Sequence, residues 1–214
     1  AAAGLMTEFS AVSYAAIGAF YALLTILLLT SWRGHRIGAF LIAASVVSVA
    51  WGATLAMDAA GAYSNIPILF SVEILRGGAW ITFLVVLTGQ AGISKLIRYS
   101  ALAIWVAVLL AGWLLFLTKP WYAPNERVTD VLIPGGLIIA LTGLVLIEQL
   151  YRNSPHDARW GLKALVLGLG GLFAYDLFLY SQAMLFGVLD SNTWLARGAV
   201  NVLFVPLIAI AARR

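Results

Sequence analysis

Seven apolar stretches, each near the length of a membrane-crossing helix, leave this chain few ways to fold. They run over about 9–32, 37–57, 67–89, 99–118, 131–151, 160–186 and 193–212. About 20 apolar residues are enough to cross the hydrocarbon core as a helix. The alternation of a transmembrane strand is absent. The spans are therefore predicted as helices, the other structure that satisfies its own backbone in lipid. The balance of residues agrees: 63% are hydrophobic and 10% charged, where a soluble domain carries roughly 25% charged residues. The links at 33–36, 58–66, 90–98, 119–130, 152–159 and 187–192 are short. Short links make successive spans antiparallel neighbours, so residues 1–214 are expected to form one all-α bundle and one domain.

The basic residues predict an orientation. One side of the bundle receives Arg33, Arg36, Lys95, Arg98, Arg152, Arg159, Arg213 and Arg214, with Lys163 just inside the sixth span. The other receives Lys119 and Arg127, offset by Glu126 and Asp130. Every odd-numbered link falls on the basic side. The N-terminus is expected outside and the C-terminus in the cytoplasm, in a multi-pass protein of a bacterial inner membrane. The first span lacks a basic leader and is too long for a signal-peptide core, so it is expected to be retained. The long 119–130 link, with Pro120, Trp121, Tyr122 and Pro124, is expected as a structured loop at the outer interface.

Four charges lie inside the apolar spans: Glu73, Arg76, Asp176 and Arg197. A rise of about 1.5 Å per residue puts Glu73 and Arg76 about 9–14 Å inside the outer end of the third span. Arg197 is about 6 Å inside the outer end of the seventh. Asp176 enters from the other side and lies about 24 Å along its span, in a core about 30 Å thick. All four are thus predicted in the outer half, where two acids and two bases sum to zero. Glu73 and Arg76, three apart, share a helix face, and Asp176 and Tyr180, four apart, share another. Tyr175, Asn201, Trp51 and Trp80 are at compatible depths. Two uses are open. The charges can cross-link the bundle, with Gly77, Gly78, Gly168, Gly171 and Gly198 allowing close helix approach. They can instead line a polar pocket for a small zwitterionic, sugar-like or lipid-headgroup ligand, or an ion path.

The third and seventh spans also resemble each other. ILRGGAWITFLVVL (74–87) matches WLARGAVNVLFVPL (194–207) with a shift of one residue. If the first three spans correspond to the last three, the fourth is a connector, and the chain is a 3+1+3 parallel repeat of a kind found in transporters. Pro206, inside the seventh span, marks a static kink or a hinge.

Other chemistry is not supported. There is no cysteine, and His35 and His156 lie in separate links, so no metal site is expected. No phosphate loop, HExxH or GxSxG motif occurs, and no cofactor or enzymatic role is expected of this segment. The seventh span has no lysine for a retinal Schiff base. The net charge of +4 resides in the links beside the lipid surface rather than in a patch for nucleic acid.

EQLYRN (148–153), GLGGLFAYDLFLYS (168–181), ARGAVN (196–201) and SYAAIGAFYALLTILLLTSWRG (13–34) are similar to the N-terminal membrane region of PrsK-type sensor histidine kinases of the PEP-CTERM/exosortase system. The resemblance covers most of the chain and is densest in the last three spans. It implies a sensory input domain followed in the natural protein by GAF-like and kinase regions. It also implies a response-regulator partner controlling exopolysaccharide and protein-sorting genes. Tyr175, Asp176, Arg197 and Asn201 fall within the matching motifs. The expected function is therefore sensing of a small ligand or envelope signal by a homodimer in contact with membrane lipids. The seventh helix would carry the signal to the kinase. The alternative is a small 3+1+3 transporter or permease.

Overall fold

Every apolar span forms an α-helix in the computed structural model, which describes residues 2–31, 34–118 and 124–212 and, among these, the side chains outside 2–7, 124–129 and 158. The helices are α1 (Ala2–Ser31), α2 (Arg36–Ala59), α3 (Ile66–Gln90), α4 (Lys95–Thr118), α5 (Pro124–Asn153), α6 (His156–Phe186) and α7 (Ser191–Ala212). Each is long and apolar enough to cross a membrane. No strand occurs among the described residues.

The helices run further than the apolar spans because hydrogen bonding continues through polar residues once a helix has formed. The largest differences are at α1, which begins at Ala2 rather than near residue 9, and at α5. Residues 124–130, expected as loop, are the first turns of α5. Pro124 opens that helix, where its missing N–H costs nothing. Lys119, Pro120, Trp121 and Tyr122 lie outside the described residues, so the interfacial loop expected there is not described.

Local chemistry sets several boundaries. Asn65 caps α3 by accepting from the Ile68 N–H at 3.2 Å, with Pro67 in the first turn. Asp190 precedes α7 and accepts from both the N–H (2.9 Å) and the hydroxyl (2.6 Å) of Thr193. Those bonds hold its carboxyl below the usual range. Gly187 ends α6 in the left-handed region at φ 69°, which costs a glycine little. Helix α7 continues unbroken through Pro206.

Six helices close a ring in the order α1, α2, α3, α5, α6, α7, with α7 returning to α1. Helix α4 lies outside it, against α3 and α5. Only 11% of the apolar stretch of α4 is buried, against 56% for α3. In this ring α2 stands opposite α6, and α3 opposite α7. Exchanging α1–α3 with α5–α7 maps the ring's neighbour pairs onto themselves. The two Arg-Gly steps obey the same exchange. Gly77 of α3 lies against Ile139 of α5, and Gly198 of α7 lies against Ser13 of α1. A Cβ on Gly198 would sit 2.6 Å from the Ser13 hydroxyl, so α7 can approach α1 this closely only with glycine there.

Candidate functional site

Arg197 is the centre of the site. It is fully buried, one residue before the Gly198 contact that seats α7 on α1. Its guanidinium reaches both acids: Nη2 lies 2.5 Å from Glu73 Oε1, and Nε donates to Asp176 Oδ1 at 2.7 Å. Arg76 completes the square. Its Nη1 donates to Asp176 Oδ2 at 3.3 Å and lies 3.7 Å from Glu73. Its Nη2 donates to Asn201 Oδ1 at 3.0 Å. The Asn201 amide in turn donates to the Arg197 carbonyl one turn back, at 2.8 Å. The four charged residues, drawn from α3, α6 and α7, are each at most 8% exposed. Taking such charges out of water is costly and is offset only when each finds opposite charge and directed hydrogen bonds.

Aromatic side chains enclose this network. Trp51 of α2 donates its indole N–H to Glu73 Oε2 at 2.7 Å, and Tyr180 of α6 donates its hydroxyl to Glu73 Oε1 at 3.1 Å. The Trp51 ring also faces both guanidinium groups, 4.1 Å from that of Arg76 and 5.3 Å from that of Arg197. Guanidinium stacks well on such a face because it is planar and weakly hydrated. Two further residues, which the sequence reading did not single out, belong to the enclosure. Trp194 lies 5.2 Å below the Arg197 guanidinium. Tyr14 of α1 meets Trp51 edge-on and donates to the Trp194 carbonyl at 2.6 Å. Trp194 precedes Arg197 by three residues, a helical-face spacing that could have found it. Tyr14 carries no comparable signal.

Seven of the nine residues expected at the site therefore meet: Trp51, Glu73, Arg76, Asp176, Tyr180, Arg197 and Asn201. Two are held elsewhere. Trp80 is buried deeper along α3, where it donates to the Ser48 hydroxyl at 3.1 Å and packs on Tyr21 and Phe83. Tyr175 turns toward the start of α7 and donates to the Thr193 carbonyl at 2.7 Å. Its neighbour Asp176 faces the network because consecutive helical residues point about 100° apart.

The hydrogen-bond inventory of the network is uneven. Both acids are engaged from several sides, whereas Arg76 Nε and Arg197 Nη1, both buried, find no acceptor among the described residues. The four charges of the network, two acids and two bases, sum to zero. No group of three or more His, Cys, Asp or Glu positioned to hold a metal occurs among the described residues. Comparison with protein-family models, curated proteins and solved structures finds no match. The fold and site thus define a helical bundle of membrane-crossing dimensions with an ionic core.

Proposed function

We propose that this chain is the seven-helix sensory input domain of a bacterial inner-membrane histidine kinase of the PrsK type. Its N-terminus lies outside and its C-terminus in the cytoplasm. The observation that carries the reading is the neutral four-charge network joining α3, α6 and α7, with two guanidinium donors still unspent. A small ligand bearing acceptor oxygens, such as a sugar or a headgroup, binds these donors and shifts the balance between two arrangements of the network. Helix α7 holds Arg197 near one end and leads toward the kinase at the other. The resemblance in the motifs around Asp176 and Arg197 supports the same reading, with a homodimer and a response regulator as partners. The test uses the full-length kinase in native membranes. Asp176→Asn and Arg197→Ala are expected to change autophosphorylation while the protein still inserts. Unchanged output from both variants removes the network from signalling.

The two-fold exchange of neighbours in the ring favours a second reading, a 3+1+3 repeat operating as a small transporter. Movement of a sugar or zwitterion across liposomes reconstituted with the chain would establish it over the sensory one.

A further inference from the structure

At the basic end of the ring, α2 and α6 stand apart. The space between them, bordered also by the ends of α1, α3 and α7, is a crevice of about 560 Å³. Its walls are apolar, with Leu41, Phe83, Leu87, Leu162 and Leu165 among them, and the described polar side chains on it are Ser31 and His35. Water needs two to four polar partners to occupy a cavity stably, and these walls offer few. Hydrocarbon fits them, and a bundle in a bilayer is surrounded by acyl chains.

The mouth of the crevice selects the headgroup. Its α2 wall, Ile37 and Gly38, belongs to the first turn of that helix. The electropositive start of α2 therefore faces the opening. Arg36, exposed in that same first turn, lies between the lining residues His35 and Ile37 in the chain but is not itself part of the crevice wall. Lys163, next to Leu162, is exposed on the α6 side with its ammonium 4.0 Å over the Trp160 ring. Among the described residues this end carries six bases, namely Arg36, Lys95, Arg98, Arg152, Arg159 and Lys163. Its two acids are Asp157 and Glu148, and Glu148 is already paired with Arg152 at 3.0 Å.

We infer that this crevice is a lipid site, holding one acyl chain of an anionic phospholipid between α2 and α6 with the phosphate at Arg36 and the start of α2. The site is separate from the ionic core and does not depend on the sensory reading. Protein purified in mild detergent is supplied with equal amounts of phosphatidylglycerol and phosphatidylcholine, and retained lipid is counted by native mass spectrometry. Phosphatidylglycerol is expected to be held preferentially. Gly161 lines the crevice, and a Cβ added there meets no atom within 4 Å. Gly161→Phe is therefore expected to fill the space and abolish retention with the helical content unchanged. Arg36→Gln is expected to lower the preference about fivefold. Ile138→Phe, on the separate groove between α4 and α5, is expected to leave retention intact. Equal retention of the two lipids, or retention undiminished in Gly161→Phe, overturns the inference.

Discussion

Helices α2 and α6 face each other across the ring, and the two ends of the space between them are filled in opposite ways. At one end Trp51 and Tyr180 close on the ion network, every charged group is buried, and the backbone of α7 rests on α1 at Gly198. At the other end the same helices leave a crevice of about 560 Å³, and Gly161 borders open space. The backbones are regular at both ends, so the difference comes from the side chains. Charges in a low-dielectric interior must gather every available partner or pay heavily for isolation, and this draws the helices together. Leucine and phenylalanine gain little from meeting each other when lipid is an equally apolar neighbour, so the basic end has no comparable reason to close.

The contrast can be tested by substitution. The largest loss is expected for Arg197→Met, which leaves two buried carboxylates to share the single guanidinium of Arg76. Thermal melting in detergent should show a destabilisation of about 3–5 kcal/mol, and adding Asp176→Asn should recover part of it. If Arg197→Met melts like the unaltered protein, the ionic core is not what holds this end closed. Trp51→Phe keeps the ring but removes the donor to Glu73, and about 1–3 kcal/mol should be lost on denaturant titration. Gly198→Ala puts a methyl group against Ser13 and should cost about 1–3 kcal/mol by overpacking. Its counterpart at the open end, Gly161→Ala, meets nothing and replaces a helical glycine, so a gain of about 0.5–1 kcal/mol is expected in the same assay. The smallest effect belongs to Arg152→Ala. Its bond to Glu148 has the same nominal chemistry as the buried pairs, but the side chains are 71% and 55% exposed. A change of about 0–1 kcal/mol is expected for such a pair. A loss there equal to that of Arg197→Met would mean that burial is not what separates the two regions.

Much of the site was legible because charge inside an apolar helix is rare and therefore conspicuous. Counting residues along helices of opposite direction brought Glu73, Arg76, Asp176 and Arg197 to one level, and the contacts between them bear that out. Depth does not give azimuth. Trp80 has a suitable depth but is engaged with Ser48, and Tyr175 is directed to Thr193 by the helical turn that aims Asp176 inward. Tyr14 escaped notice because a tyrosine in an apolar span reads as ordinary packing until its partners on the neighbouring helices α2 and α7 are known. The likeness of α3 to α7 was visible in the sequence. The symmetric neighbour pattern, with α4 left outside, required knowledge of the ring.

By itself the sequence determined seven helices and their alternating direction, because backbone groups in an apolar segment must bond within the segment and the links are too short for any other course. It also determined that four charges had to find one another, since none can be left alone in such a medium. Only the tertiary structure decided which helices are neighbours, that α4 stands apart, and that one end of the α2–α6 space closes while the other stays open. Those outcomes depend on the direction each side chain takes around its helix and on which glycines allow backbones to touch. Hydropathy is summed along the chain and carries no record of either.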